Sequence, residues 1–315
     1  MPVKTPKFYY QKKNLLSFAL LPFGLMFLMI SFARNSLIKF FRQKKLEGKF
    51  VICVGNLTLG GAGKTPSAIF IAEILQEMGL EICFLSKGYG RKSKGFQIVS
   101  KNSEIANAAE TGDEPQILKK IAPVYLFSKY SEISQNISKI KEKIIIMDDG
   151  LQNPSIYKNF IFLIIDGIAK FGNGFPFPAG PLRELSHQSD IILQIEGKND
   201  KAIILTKEYE LVNAGKAENF IAFAGLAINE KFFASARKIG LNLIKTVEFE
   251  DHHAYTENEI LNLLELAKEL KCKLITTEKD FVKIPNTLAP EIAVLKLTLV
   301  TSVENKEKIK QKINI

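Results

Sequence analysis

The sequence predicts an α/β protein with an α/β/α core, a second α/β domain and an N-terminal membrane-associated helix. A Gly-rich loop between a short apolar run and a helical pattern predicts the core. Later apolar runs that resemble strands, with helical patterns between several of them, predict the second domain. An uncharged stretch of 19 residues, Leu15 to Ala33, predicts the membrane-associated helix.

The composition is that of a folded protein. The 315 residues are 46% hydrophobic and 24% charged, which suits two domains of ordinary size or one large one with a buried core, and excludes disordered or disulfide-stapled classes. The three cysteines (Cys53, Cys83 and Cys272) are scattered and form no C-x-x-C pair. We therefore expect a reducing compartment and no zinc site built on cysteines.

Nearly all of the net positive charge lies at the N-terminus. The chain carries a formal charge of +10, and residues 1–49 hold ten Lys or Arg residues against a single acid, Glu47. The rest of the chain is therefore close to neutral, at +1. Nucleic-acid-binding proteins more usually spread basic residues over a folded face, so no nucleic-acid partner is expected.

The uncharged stretch has basic residues on both sides, with Lys13 before it and Arg34 after it. A single span would separate these flanks across the membrane, against the positive-inside tendency. A helix or helical hairpin within one leaflet keeps both flanks at anionic headgroups, and Pro22 and Gly24 are available for a bend. A monotopic anchor is favoured over a true span, a buried core helix or a signal peptide, for which no small-x-small cleavage site is present.

A phosphate-binding loop follows the first apolar run. Residues 50–54 suit a buried parallel strand, and they lead into GNLTLGGAGKTP at 55–66. Gly60, Gly61 and Gly63 allow the backbone to curl so that its N–H groups face a phosphate. The order of strand, Gly-rich loop and helix is the one that such a site requires.

The polar residues of this loop have separate expected tasks. Lys64 supplies a cation for the β- and γ-phosphates, and the Thr65 hydroxyl is a potential Mg²⁺ ligand. Thr58 replaces the first Gly of the usual G-x-x-x-x-G-K-[ST] pattern, so the alternative is a Gly-rich turn with an incidental Lys-Thr pair. The predicted nucleotide-binding residues are Thr58, Leu59, Gly60, Gly61, Ala62, Gly63, Lys64 and Thr65.

Two acidic pairs are candidates for the chemistry. Asp148 and Asp149 follow a run of apolar residues, and a buried strand that ends in a carboxylate is how such folds hold Mg²⁺. Asp113 and Glu114 stand just ahead of a predicted helix. The alternatives are an Asp-Asp-Gly turn for the first pair and favourable helix-N-terminal acids for the second.

Three further segments carry polar residues at element ends. FEDHHAYTENEI (249–260) holds His252 and His253, which could form a catalytic dyad or cap a helix; a metal site is disfavoured because no third ligand cluster is visible. The basic, Gly-rich loop at 84–95 faces either phosphate or solvent. TTEKD (276–280) ends a strand, where sites of α/β proteins usually lie.

In their order along the chain, these motifs resemble the tetraacyldisaccharide 4'-kinase family, the lipid A 4'-kinases of Gram-negative bacteria. The resemblance covers nearly the whole chain, and although the Gly-rich loop is generic, the ordered set is specific. The motifs are VGNLTLGGAGKTP, LSKGYGRKSKG, TGDEP, DDGLQN, FPAGPLRE, FEDHH and TTEKD.

The resemblance implies a P-loop kinase-like core domain and a second α/β domain with the active site in the cleft between them. We expect a membrane-anchoring segment at 1–46, the ATP-binding domain at 47–175 and the C-terminal domain at 176–315, with the boundary in the Gly/Pro-rich stretch 171–181. The implied reaction is ATP- and Mg²⁺-dependent phosphorylation of the 4'-hydroxyl of a tetraacylated glucosamine disaccharide 1-phosphate. Its product is lipid IVA, a lipid A precursor.

The resemblance also implies residue roles. Asp113 is the expected base, and His252 orients or polarises it, with His253 as the alternative. The expected location is the cytoplasmic face of the inner membrane, in contact with its lipids, and no obligate protein partner is inferred. The residues expected to hold Mg²⁺ are Thr65, Glu114, Asp148 and Asp149.

The main alternative is a membrane-attached P-loop ATPase that acts as a switch or localisation factor. It accounts for the N-terminal segment and the Gly-rich loop. It leaves the Asp-His pair and the PAGPLRE segment without a function, so the kinase reading is favoured.

Overall fold

The computed structural model describes residues 6–103, 107–185 and 188–315. Lys4, one of the basic residues before the uncharged stretch, and His187 lie outside the described residues. A single twelve-stranded sheet runs through these residues. The strands are β1 (Phe50–Gly55), β2 (Ile82–Ser86), β3 (Gln97–Val99), β4 (Val124–Leu126), β5 (Ile144–Asp148), β6 (Phe160–Asp166), β7 (Ile191–Ile195), β8 (Ile203–Val212), β9 (Asn219–Ala224), β10 (Asn242–Glu248), β11 (Lys273–Thr277) and β12 (Ile292–Val300).

Helices lie between these strands and at both ends of the described chain. Short 3₁₀ turns occupy Lys7–Tyr10, Ile137–Lys139 and Ala289–Glu291. The helices are α1 (Leu15–Arg42), α2 (Lys64–Glu77), α3 (Ala108–Thr111), α4 (Asp113–Leu118), α5 (Tyr130–Gln135), α6 (Asn229–Lys238), α7 (Glu257–Glu269), α8 (Glu278–Phe281) and α9 (Val303–Ile313).

The strand order is β10-β9-β11-β12-β8-β7-β6-β1-β5-β2-β4-β3, and all pairs are parallel except β12–β8 and β3–β4. Strand β8 joins the two halves of the sheet, which consist of β1–β7 and β9–β12. Its first residues pair with β7, where Ile203 lies opposite Leu193, and its remaining residues pair with β12, where Val212 lies opposite Val294. The sheet is therefore continuous, and the division of the chain at residues 175 and 176 stays a prediction.

The two halves also share a hydrophobic core. Ile71 and Leu75 of α2 lie in the same buried cluster as Leu299 of β12 and Ile309 of α9. Helix α9 contacts α2 directly, so the C-terminal end of the chain returns to the half that carries the Gly-rich loop. Burying this apolar surface in one cluster favours a fixed arrangement of the two halves.

Helix α1 is one continuous helix of 28 residues with Pro22 inside it, rather than a hairpin. Gly24 serves close packing, because a Cβ there would lie 2.9 Å from Pro176. The aromatic rings of Phe18 and Phe27 pack on those of Phe175 and Phe177.

Most of the apolar surface of α1 has no protein cover. Phe32, Phe40 and Phe41 are 76%, 82% and 72% exposed. By length and composition α1 is the one helix among the described residues long and apolar enough to cross a membrane. The structure thus presents α1 as a candidate membrane anchor.

Candidate active site

The Gly-rich loop lies between the end of β1 and the start of α2, at the carboxyl edge of the parallel sheet. Gly63, the residue before α2, has a φ of 80°, and a Cβ there would collide with the side chain of Ile195. The positive φ therefore favours glycine at this position. The N-terminus of α2 faces the loop, and the backbone N–H groups of a helix N-terminus attract anions.

Not every amide of the predicted nucleotide-binding residues is free. The Leu59 N–H donates to the carbonyl of Pro181 at 2.7 Å, and the Ala62 N–H donates to Gly60 at 3.0 Å. The Leu59 carbonyl in turn accepts a hydrogen bond from the Tyr10 hydroxyl at 2.6 Å. The start of the loop is thus tied to the segment before α1 and to the segment after β6.

Asp149 forms ion pairs with two cations. Its carboxylate lies 3.6 Å from Lys64 Nζ and 2.9 Å from Arg183 Nη2. Burial opposes ionisation, but the charges of Lys64 and Arg183 outweigh it and lower the pKa of Asp149. Asp149 adopts a φ of 54°, a conformation that Asp tolerates better than most residues. In this arrangement Asp149 positions Lys64 at the Gly-rich loop.

Asp148 has a different environment. It lies in register with Val54 of β1, and its Oδ2 accepts a hydrogen bond from the Thr65 hydroxyl at 3.0 Å. Its Oδ1 is buried without a hydrogen-bond partner. Burial, and then repulsion from Glu114, raises the pKa of Asp148 to about 8.

These residues fit a magnesium ion. The unpartnered Asp148 oxygen and the Thr65 hydroxyl are hard oxygen donors of the kind that Mg²⁺ prefers. Burial raises the pKa of the half-buried Glu114, and a nearby cation would relieve its repulsion with Asp148. No group of three or more His, Cys, Asp or Glu side chains in the described part of the chain is arranged to hold a metal. Mg²⁺ is usually held by one or two carboxylates together with phosphates and water.

Asp113 and His252 meet across the two halves of the sheet. Asp113 is the first residue of α4 and 4% exposed, and its Oδ2 lies 2.9 Å from His252 Nδ1. Burial opposes ionisation of Asp113, but the hydrogen bond from His252 and the charge of Lys279 hold its pKa below its usual range. Asp113 is thereby kept as a carboxylate, the form that accepts a proton.

The backbone has a positive φ at two residues of this contact region, Gly112 and His252. Gly112 has a φ of 91°, and a Cβ on it would lie 2.9 Å from the carbonyl of Tyr89. His252 has a φ of 59°, and its ring contacts Asp113. His253 instead contacts Glu259 of α7 at 3.1 Å. The structure therefore separates the two adjacent histidines by their partners.

The loop, the acidic pair and His252 line one cavity of about 1230 Å³. Arg34 and Ile38 of α1 line the same cavity. The predicted residues that line it are Thr58, Leu59, Gly60, Gly61, Ala62, Gly63, Lys64, Thr65, Glu114, Asp148, Asp149 and His252.

Three basic residues from the predicted motifs have defined contacts near the site. Arg91 bonds the Gly95 carbonyl at 2.7 Å and the Ser128 hydroxyl at 3.1 Å, and so it holds the Gly-rich loop after β2 together. The Lys87 ammonium lies over the Tyr130 ring and lines the cavity. Arg183, as described above, pairs with Asp149.

Residues 16–314 match the family model described as tetraacyldisaccharide-1-P 4'-kinase, or LpxK. The chain belongs to this family. Curated relatives named tetraacyldisaccharide 4'-kinase include those of Rickettsia akari, 36% identical, and Rickettsia canadensis, 35% identical; each match covers 98% of this chain and 96% of the relative.

A solved structure of the family has a similar fold. It is described as the "apo" form of LpxK from Aquifex aeolicus in complex with ATP. It is 28% identical, with a TM-score of 0.76, and the match covers 95% of this chain and 98% of that one. The predicted fold class, a P-loop kinase-like α/β protein with a second α/β part and an N-terminal apolar helix, is confirmed.

Two lysines near the site were not predicted from the sequence. Lys279 lies beside His252, and Lys231 of α6 reaches Asp166 at 2.6 Å and the Gly61 carbonyl at 3.2 Å. Lys279 belongs to the TTEKD segment, whose place at a strand end was a usable signal. Lys231 lies in the first turn of α6, in a sequence without a motif, so nothing in the pattern pointed to it.

Proposed function

We propose that this protein transfers the γ-phosphate of ATP to the 4'-hydroxyl of a tetraacylated glucosamine disaccharide 1-phosphate, giving lipid IVA, at the cytoplasmic face of the inner membrane. Membership of the tetraacyldisaccharide 4'-kinase family establishes the class of reaction. The observation that carries the site assignment is that His252, which holds Asp113, lines the same cavity as Lys64, Thr65 and Asp148.

The Gly-rich loop and Lys64 bind the triphosphate. The ammonium of Lys64 lies 3.6 Å from Asp149, and both residues line the cavity together with the Gly-rich loop. Phosphoryl transfer depends mainly on such positioning and on charge neutralisation. Thr65 and Asp148 would hold Mg²⁺, with Glu114 and Asp149 beside them. When bound, the ion supplies further neutralisation of the phosphate charge.

Asp113 accepts the proton of the acceptor hydroxyl. As that O–H bond breaks, the hydroxyl oxygen forms a bond to the γ-phosphorus and the bond to the β-γ bridging oxygen breaks, so that ADP leaves. His252 donates its Nδ1–H to Asp113 Oδ2, which holds the carboxylate beside the cavity that His252 lines. A base placed in this way typically contributes about 10²- to 10⁴-fold to the rate.

The N-terminal helix supports a membrane location. The acceptor is a lipid whose acyl chains are costly to expose to water, so the enzyme has to work at the bilayer. The exposed Phe32, Phe40 and Phe41 of α1 offer an apolar surface to the bilayer, and Arg34 and Ile38 of the same helix line the cavity. We infer that the acyl chains remain beside α1 while the sugar headgroup enters.

A transfer assay tests the proposal. Purified full-length protein in detergent is given γ-labelled ATP, Mg²⁺ and the tetraacyldisaccharide 1-phosphate. Label is expected on the lipid with the wild type and with the control Lys308→Ala on the exposed surface of α9, and it is expected to vanish in Lys64→Ala. ATP hydrolysis without labelled lipid would refute the kinase function and favour the membrane-attached ATPase switch.

A further inference from the structure

The Gly-rich loop is bonded to the segment that leads into the membrane helix. Tyr10 is the last residue of the 3₁₀ turn Lys7–Tyr10, ahead of the start of α1 at Leu15. Its hydroxyl donates a hydrogen bond of 2.6 Å to the carbonyl of Leu59, which lies 49 residues further along the chain. The nucleotide-binding loop and the N-terminal segment are therefore joined directly at Leu59.

This hydrogen bond also determines the direction of the next amide in the loop. A peptide group is planar and trans, so the Leu59 C=O and the Gly60 N–H point in opposite directions. Tyr10 thus turns the Gly60 N–H away from itself. Among the residues that the structure describes, this N–H has no hydrogen-bond partner, and Gly60 lines the cavity. The Gly60 N–H is therefore free to donate to a ligand.

The Leu59–Gly60 peptide group has no other hydrogen bond within the described part of the chain. The Leu59 N–H donates to the Pro181 carbonyl at 2.7 Å, but it belongs to the preceding peptide group. Gly60 has a φ of 95°, and a Cβ on Gly61 would meet open space. Glycines allow backbone rotation at little steric cost. The Tyr10 hydroxyl is therefore the hydrogen bond that fixes this peptide group.

Tyr10 is itself held in place. The carbonyl of its neighbour Tyr9 accepts the Asn173 N–H at 2.7 Å, and the Tyr9 side chain is 3% exposed. Burial, and then the charge of Asp166, raises the pKa of Tyr10 to about 12. The phenol consequently stays protonated at neutral pH and remains a hydrogen-bond donor.

We propose that Tyr10 is a positioning residue for ATP, which holds the Leu59 carbonyl away from the triphosphate so that the Gly60 N–H donates to a phosphate oxygen. This rests on the proposed function only in assigning the Gly-rich loop to the triphosphate. Without the hydroxyl, the peptide group rotates, and its carbonyl then turns a negative end toward the phosphates. Binding of the phosphates weakens, whereas binding of the adenosine part of ATP is unaffected.

Nucleotide affinities of the Tyr10→Phe variant test the proposal. Purified full-length protein in detergent is titrated with ATP, ADP and adenosine in competition with a fluorescent ATP analogue. The Kd values for ATP and ADP are expected to rise about 2- to 10-fold, the range for the loss of one hydrogen bond. The Kd for adenosine is expected to stay unchanged, which also shows that the variant is folded. In the transfer assay, the KM for ATP is expected to rise at unchanged kcat.

The matched control is Tyr157→Phe. Tyr157 is 44% exposed and its ring contacts Lys45 rather than the loop, so this variant is expected to bind all three ligands like the wild type. Unchanged affinities of Tyr10→Phe for ATP and ADP would overturn the proposal. An equal loss for adenosine would also overturn it, since the hydroxyl would then support the whole site. So would a lowered kcat at an unchanged KM for ATP, because Tyr10 would then act in the chemical step.

A spectroscopic measurement observes the peptide group itself, whatever the enzyme phosphorylates. Leu59–Gly60 is the single place in the sequence where Leu precedes Gly, so protein with ¹³C-carbonyl Leu and ¹⁵N-Gly gives one carbonyl-selected amide signal. Tyr10→Phe is expected to shift the Leu59 carbonyl upfield. ADP is expected to shift the Gly60 amide proton downfield in the wild type and less in the variant. Identical carbonyl shifts without nucleotide, or identical responses to ADP, would refute the proposal.

Discussion

Replacing Asp113 by Asn removes the proposed base while keeping the shape of the side chain. Asp113 is 4% exposed, and its Oδ2 accepts the Nδ1–H of His252 at 2.9 Å; an amide oxygen can accept the same bond. The packing of α4 is therefore retained, but an amide cannot take up the hydroxyl proton. The expected loss in kcat is about 10²- to 10⁴-fold. At about 1.4 kcal/mol per tenfold, this corresponds to roughly 3 to 5 kcal/mol of transition-state stabilisation.

The KM for ATP is expected to stay unchanged in this variant. The triphosphate is bound by the Gly-rich loop and by Lys64, whose contact is with Asp149 rather than Asp113. The assay is initial-rate label transfer at varied ATP and lipid concentrations, with Asp200→Asn in an exposed turn as the matched control. Activity within about tenfold of the wild type at a normal KM for ATP would refute the base assignment.

Three further predictions concern the metal site, the turn before Asp113 and the membrane surface. Because burial raises the pKa of Asp148 to about 8, its carboxyl keeps a proton in the folded state that it loses on unfolding. Mg²⁺-free protein is therefore expected to lose stability in thermal melts as the pH rises from about 6 to about 8. The Asp148→Asn variant is expected to remove this pH dependence. Gly112→Ala is expected to lower kcat well below that of a Gly215→Ala control. Gly112 has a φ of 91° and a Cβ there would meet backbone atoms, whereas a Cβ on Gly215 meets open space. Equal kcat values of the two variants would contradict this. Replacing the exposed Phe32, Phe40 and Phe41 together by Ser is expected to abolish sedimentation with anionic lipid vesicles. Each Phe that is buried in the bilayer contributes about 1.5 to 3 kcal/mol to membrane binding. Unchanged sedimentation would show that α1 is not the anchor.

The parts of the site that lie within one local segment could be predicted from the sequence. The strand, Gly-rich loop and helix around Lys64 follow from local chain chemistry, and the structure has them at Phe50–Gly55 and Lys64–Glu77. Asp148 was placed at a strand end for the same reason. The choice between Asp148 and Asp149 as a direct metal ligand could not be predicted, because it depends on Lys64 and Arg183, which pair with only one of them.

The contacts between distant segments depended on the fold. Asp113 and His252 are 139 residues apart, and the sequence alone did not separate His252 from His253. The structure separates them by their partners, because His252 contacts Asp113 whereas His253 contacts Glu259. The pairing was expected only because of the family resemblance.

Element lengths were the least predictable feature. The uncharged stretch ends at Ala33, but α1 continues to Arg42, because hydropathy marks the apolar part of a helix and not its hydrogen-bonded end. Strand β8 begins with apolar residues but extends to Val212 through alternating polar residues, beyond the part that hydropathy marks. Its polar positions are tolerated because they alternate with less exposed ones along the pairing with β12.

The position of the new phosphate on the lipid product tests the central claim most directly. Product made from ATP and the tetraacyldisaccharide 1-phosphate would be isolated and examined by ³¹P NMR and tandem mass spectrometry. The proposed function predicts two phosphate monoesters, the original one at C1 and the new one at C4'. A new phosphate at any other hydroxyl, or release of the γ-phosphate only as inorganic phosphate, would contradict it.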